Sequence, residues 1–267
     1  SKIFSINLIF ISLLKLNDNK KNYLYLLIFI LSLFLIFLSG ERTSLGMFLF
    51  QFVFIFILYK FNFYKKLIFL FLFLILSSST LLFLKEVNTK NSYYMSKIND
   101  TIGRFEYGFK NYISFKNNKI DLISSHKGHY LTAYNIYKDN KFFGGGIKSF
   151  RYLCKEKKYK FNDGSCTTHP HNILLLFMSE LGIIGFLIYT FFITFVIIDI
   201  LKNYLNRNSK EVDINGYNRF VFISIGVLST MLPILPSGNF FNNYMSIIFY
   251  LLIGYYLYLR KNINKKD

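Results

Sequence analysis

Seven apolar runs decide what this chain can fold into. They occupy residues 1–16, 23–40, 45–59, 67–84, 173–198, 220–235 and 244–259. A helix that is hydrophobic all round has no face to turn to water, so a soluble domain has little use for several of them. Most of these runs reach across a hydrocarbon core of ~30 Å as helices, although 45–59 is short and must recruit flanking residues. A membrane β-barrel would instead show segments of alternating polarity. The expected fold is therefore an all-α polytopic membrane protein, with about seven transmembrane helices at ~20 residues each.

Three parts follow: helices 1–4 over residues 1–84, a polar loop over 85–172, and helices 5–7 with a tail over 173–267. The chain opens on Ser1 inside an apolar run and has no charged leader with a cleavage site. Segment 1–16 is not read as a signal peptide, and an N-terminally incomplete chain is expected.

Charge sets the orientation. The connections 15–22, 60–66 and 199–219 and the tail 260–267 together carry 14 Lys/Arg, whereas 41–44 and 236–243 carry only Arg42. Short cytoplasmic loops collect the positive charge, so the C-terminus is expected inside and residues 41–44, 85–172 and 236–243 outside. Residues 85–170 hold 16 Lys/Arg against 7 Asp/Glu, but long loops cross largely regardless of charge. That excess suits an anionic partner such as a phosphate, a pyrophosphate or a lipid headgroup. It also follows the basic bias of a chain with net charge +18. Membrane lipids are expected partners and nucleic acid is not.

Both cysteines, Cys154 and Cys166, lie in this outward loop, and an oxidising compartment favours their pairing. Upstream, "SSHKGHYLTAYNIYKDNKFFGGG" reads as a helix capped by Ser124 or Ser125 and ended by Gly144, Gly145 and Gly146. Its apolar stripe is expected at Tyr130, Ala133, Tyr134 and Tyr137. The glycines permit a tight return; a phosphate cradle is a weaker reading without a following P-loop lysine.

The loop closes on "THPHNILLLFMSELGIIGF", where two histidines flank a proline at the mouth of an apolar helix. Pro170 suits a helix start, which places His171 in the first turn, where nearby N–H groups disfavour the imidazolium. A neutral base near pH 7 results. The same residue type also serves plain interfacial packing. Gly182 and Gly185 offer a small-residue face for another helix. Glu180 would lie ~13 Å down a regular helix and must meet a partner or a polar cavity.

His171-Asn172, nine residues, then Gly182-x-x-Gly185 resembles the signature of the O-antigen ligase and O-antigen polymerase superfamily. In that family, too, the motif ends a long periplasmic loop and opens a membrane helix. "KDNKFFGGGIKSF" is similar to the family's Asp-x-Pro-x-x-Gly-x-Gly segment, with Lys141 where proline is usual, and "SGERTS" at 39–44 to an arginine-bearing helix end.

The resemblance implies transfer of a glycan from undecaprenyl pyrophosphate to a glycan or lipid A core hydroxyl. This would take place at the periplasmic face of a bacterial inner membrane, without a cofactor. Under it His171 is the acceptor base and Arg42 a pyrophosphate ligand, and the two are expected in one outward cavity. The family's second cation, usually an arginine, is missing. Lys127, His129, Arg104 and Arg151 stand as substitutes, with "SHKGHY" in the corresponding stretch.

A metal reading of His126, His129, His169 and His171 lacks a carboxylate motif and a familiar ligand spacing, so no metal is expected. The ligase role is favoured, with a polymerase of the same superfamily as the alternative. From another class, a transporter or lipid flippase would call for an inverted repeat and midplane charges; no repeat is seen and Glu180 is the one clear such charge.

Overall fold

The computed structural model of the chain describes residues 36, 42–60, 64, 71, 75, 103, 115–116, 119–120, 126–208, 213–233 and 236–263. Apart from Ile36, Phe71 and Ile75, the apolar runs 1–16, 23–40 and 67–84 lie outside these residues. The chain divides into two compact units, one through Asp121 and one from Leu122 to Asp267.

In the first unit, helix α1 spans Arg42–Leu58. The short run 45–59 does recruit its upstream neighbours. One face buries Met47, Phe48, Gln51, Phe52, Ile55 and Leu58 at three- and four-residue spacing, while Leu49, Val53, Phe54 and Ile57 stay exposed. The rings of Phe48, Phe52 and Phe56 stack in a ladder along it. Two-residue strands β1 (Phe115–Lys116) and β2 (Lys119–Ile120) pair antiparallel, with Phe115 opposite Ile120. The other elements described are helical.

The second unit holds the loop and the last helices. Helix α2 (Lys127–Asp139) and the short α3 (Phe150–Leu153) precede a 3-10 turn at Asp163–Ser165. The long α4 (Ile173–Asn206), α5 (Ile214–Thr230) and α6 (Asn243–Asn262) follow. Side chains set the helix starts: Asn172 caps α4, Asp213 caps α5 and Asn242 caps α6, each accepting from backbone N–H groups of the first turn. Helix α5 stops at Thr230, short of the apolar run's end, because Pro233 lies just beyond. Among the described residues only α4 is long and apolar enough to cross a membrane; Thr43–Leu58 is a shorter apolar helix.

Two cores form. Ile173, Leu176, Phe177 and Tyr189 of α4 pack with Met231, Phe240 and Phe249. Tyr189 donates its hydroxyl proton to Met231 O at 2.6 Å, so this phenol is buried without losing its hydrogen bond. The other core joins Ala133 and Ile136 to Phe150, Cys154 and Tyr159. Near the far end of α4 Asp199 accepts from Tyr256 Oη at 2.7 Å and Arg260 Nε at 2.9 Å, tying α4 to α6.

The face of α2 differs from the expected stripe. Thr132, Ala133 and Ile136 are buried, Tyr134 is 43% exposed, and the helix ends at Asp139, before the glycines. Tyrosine keeps a hydroxyl near water, so the smaller residues take the contact with α4 and the disulfide loop. His126 occupies the N-cap without a side-chain cap bond; Ser124 and Ser125 lie outside the described residues.

Candidate active site

The site begins with a break in α4. Gly182 has φ 67° and ψ −155°, a conformation essentially reserved for glycine, and it interrupts the helical ladder. In a regular helix Ser179 O and Glu180 O would accept from residues 183 and 184. Here they accept from Gly145 N and Gly146 N, both at 2.9 Å, while Ile183 N donates to Lys141 O at 2.7 Å.

The glycine run thus serves as a backbone plug for a broken helix. A Cβ on Gly182 would lie 2.3 Å from Phe142 O, and one on Gly144 2.3 Å from Glu180 C. These glycines admit a loop backbone, where another helix was expected against Gly182. A Cβ on Gly185 would meet Leu181 of its own helix. Gly144 N donates to Asn140 O, so all three glycine N–H groups are engaged within the fold and no phosphate cradle remains.

Glu180 has the partner its burial demands. It is fully buried, and its carboxylate accepts from Lys148 N at 2.6 Å and Phe150 N at 3.4 Å, at the start of α3. Arg151, one residue on, acts on Glu180 electrostatically. This is the setting of one candidate cation.

The helix mouth is built by its own residues. Asn172 Oδ1 accepts from Leu175 N at 3.1 Å, making it the N-cap, and its Nδ2 donates to Pro233 O at 2.7 Å. His171 therefore sits just before the helix, at φ 58°, and Pro170 stands outside the first turn where it was expected. Ser237 N donates to His171 O at 2.9 Å, and His169 Nε2 donates to Ser237 O at 3.1 Å. The connection between α5 and α6 thus grips the mouth from both sides.

Around His171 the imidazoles gather. Its ring centroid is 4.2 Å from that of His169, 4.9 Å from His126 and 5.3 Å from His129. His129 is oriented by donating Nδ1–H to Ser165 O at 3.0 Å, which leaves Nε2 as the ring nitrogen outside that bond. Cys154 and Cys166 are bonded, with Cα atoms 5.1 Å apart, and close the segment that carries Ser165.

Burial, then the neighbouring His169, His126 and His129, push the His171 pKa down to about 4. It is a neutral imidazole at pH 7. His126 caps α2 and His171 adjoins the cap of α4, so the positive ends of two helices meet at this cluster.

One nitrogen each of His126, His129 and His171 falls within a 4.8 Å group, close enough to gather on a metal ion. Two helix N-termini oppose a cation there and favour an anion.

The remaining candidates are placed as follows. Lys127 is exposed on the first turn of α2. Arg104 and the side chain of Arg42 lie outside the described residues, as does the expected shared cavity of Arg42 and His171.

The sequence model of the O-antigen ligase family (Wzy_C) matches residues 27–190, more than half of the chain. This chain belongs to the O-antigen ligase family. The match takes in α1, the helical loop, the histidine mouth and the α4 break with both motif glycines. No curated protein and no solved structure matches the chain.

The family carries glycosyltransferase-type enzymes that are typically membrane-bound and act on lipid-linked glycans. Residues that sequence reasoning missed are Ser237 and Pro233. The signal was present in "LPILPSGNF", whose prolines and glycine mark a stiff connection.

Proposed function

We propose that this chain is an integral inner-membrane glycosyltransferase of the ligase type. It moves a glycan from undecaprenyl pyrophosphate to an acceptor hydroxyl at the periplasmic face, without a metal. In this reading about seven helices span the bilayer, the C-terminus is cytoplasmic, and residues 85–172 roof the site. The observation that carries the reading is the convergence of His126 and His129 on a neutral His171 between two helix N-termini.

The acceptor oxygen attacks the anomeric carbon as His171 takes its proton, and the bond from that carbon to the pyrophosphate oxygen breaks. The leaving pyrophosphate keeps the bonding electrons and needs positive potential more than a proton. His126, His129 and the end of α2 supply it, with His129 filling the place of the family's second arginine. The planar fork of Arg42 suits the same phosphates. Lys127 is exposed, and Arg151 lies within electrostatic reach of Glu180, so the histidines that converge on His171 are the stronger candidates.

The test uses purified protein in proteoliposomes with lipid-linked donor. His171→Ala should slow transfer by ~10²–10⁴-fold while donor binding is kept, because a base acts on rate. His129→Ala should weaken donor binding instead. A His171→Ala protein that transfers at the normal rate would overturn the assignment. In cells lacking the protein, full-length glycan on the lipid carrier with uncapped core would mean ligase; single repeats would mean polymerase.

A further inference from the structure

We infer that the loop Lys141–Lys148 is a membrane-interface anchor, seated in lipid at the level where α4 enters the bilayer. Its tip is apolar and open: Phe142 is 71% exposed, Phe143 78% and Ile147 61%. Such a patch in water would be costly and adhesive. Yet the loop is not loose. Its backbone is bonded to α4 at Ser179, Glu180 and Ile183, and the Glu180 carboxylate holds Lys148 N. The phenylalanines are thus fixed beside the Gly182 break.

The exposure pattern of α4 identifies what covers them. Before the break, none of its large apolar side chains is exposed. After it, Ile184, Leu187, Ile188, Phe191, Ile198, Leu201 and Leu205 are exposed at helical spacing, forming one long stripe. From Ile183 to Asn206 the helix is ~36 Å long, enough for a hydrocarbon core of ~30 Å. The lipid boundary therefore falls at Gly182. The segment Ile173–Leu181 stands above it, packed through Ile173, Leu176 and Phe177 on Met231, Phe240 and Phe249 and through Leu175 on the loop's own core.

Phe142, Phe143 and Ile147 lie level with the first lipid-facing turn, and Lys141 and Lys148 flank them with charges suited to phosphate headgroups. Glu180 is then an interfacial carboxylate, which explains why it keeps company with loop backbone. The anchor also sets the height of His171, which stands just before the same half-helix.

The chain contains no tryptophan, so one substitution makes a unique fluorophore. Phe143→Trp and, separately, Ile147→Trp would be placed in the full chain and reconstituted in vesicles of phosphatidylcholine and phosphatidylglycerol. Emission should shift to the blue, and phosphatidylcholine brominated on its acyl chains should remove most of it, with little effect from aqueous acrylamide. Phe161→Trp is the contrasting site. Phe161 is 52% exposed and bonded to Thr132 and Ser165, at the level of the histidines, so it should answer to acrylamide and not to bromolipid.

Retention of the Cys154–Cys166 bond checks folding. Water-like emission from the Phe143→Trp protein, quenched by acrylamide, would overturn the anchor. So would blue emission that bromolipid leaves untouched, since protein would then cover the loop. Neither readout depends on glycan transfer, so the anchor and the catalytic reading fail separately.

Discussion

Replacing Gly182 with alanine tests the architecture at its narrowest point. The residue sits at φ 67°, ψ −155°, where an L side chain costs about 1–3 kcal/mol in backbone strain. The new Cβ would also stand 2.3 Å from Phe142 O, 2.5 Å from Phe142 C and 2.7 Å from Gly144 N. These are backbone atoms, which do not swing aside as a side-chain tip would. The loop must lift, and with it go the bonds from Gly145 N to Ser179 O, Gly146 N to Glu180 O and Ile183 N to Lys141 O. At about 1 kcal/mol net for each bond lost, the sum with strain is about 4–6 kcal/mol. A domain with total stability of about 5–15 kcal/mol would feel that as a large loss of folded protein.

Thermal unfolding of purified Gly182→Ala, and its yield in membranes, are the assays. Gly146→Ala is the internal control. Gly146 also has a positive φ of 99°, but a Cβ there meets nothing within 4 Å, so it should lose only the conformational part. Unfolding of Gly182→Ala at the same temperature as the parent would refute the close backbone crossing.

Other outcomes follow from the same contacts. Asn172→Ala removes the cap of α4 and its bond to Pro233 O, and should cost about 1–3 kcal/mol in denaturant titrations. Glu180→Gln turns two charge-assisted bonds into one neutral bond and one N–H facing an N–H, for about 1.5–3 kcal/mol by thermal unfolding. Opening the Cys154–Cys166 bond frees a short loop, which the chain-entropy relation sets at about 3 kcal/mol. Proteolysis of the reduced protein should then begin within that segment.

How far the sequence revealed this depended on range. The apolar runs located α4, α5 and α6 by their length, whereas the cap at Asn172 was not read and Pro170 was placed at the helix start instead. Boundaries moved where a local side chain overrode the apolar run, as at Asp213 and before Pro233. The His171–Gly182 spacing was visible, but its meaning was not. A glycine in an apolar helix reads as a packing face, and only the fold shows that Phe142–Gly144 crosses there backbone to backbone. The gathering of His126 and His129 on His171 was weighed only as a metal reading and set aside, because spacing alone does not bring the residues together. They lie more than forty residues away in sequence, and the disulfide segment that orients His129 joins them through Ser165.

The depressed basicity of His171 has a consequence for its role. In the free protein its pKa lies near 4, so the base is unprotonated over the whole physiological range but weak. Binding a pyrophosphate beside it reverses the electrostatics, since negative charge favours the imidazolium and raises the pKa toward its ordinary value of about 6.5 or beyond. The donor would thereby strengthen the base that its own transfer requires. Rates measured from pH 4 to 8 separate the two states, because kcat/KM reports free groups and kcat those of the complex. The acid limb of kcat/KM for the donor should fall near pH 4, and that of kcat at a distinctly higher pH. His126→Ala should move the kcat/KM limb upward, since His126 is one of the neighbours holding His171 down. Folding carries the same signature. The unfolded imidazole gains its proton near pH 6.5, so the native state loses stability as pH falls from there toward 4 and gains nothing above it. Acid limbs that coincide for kcat and kcat/KM would mean that the pyrophosphate does not bind against His171, and the histidine would then have to act at a distance from the leaving group.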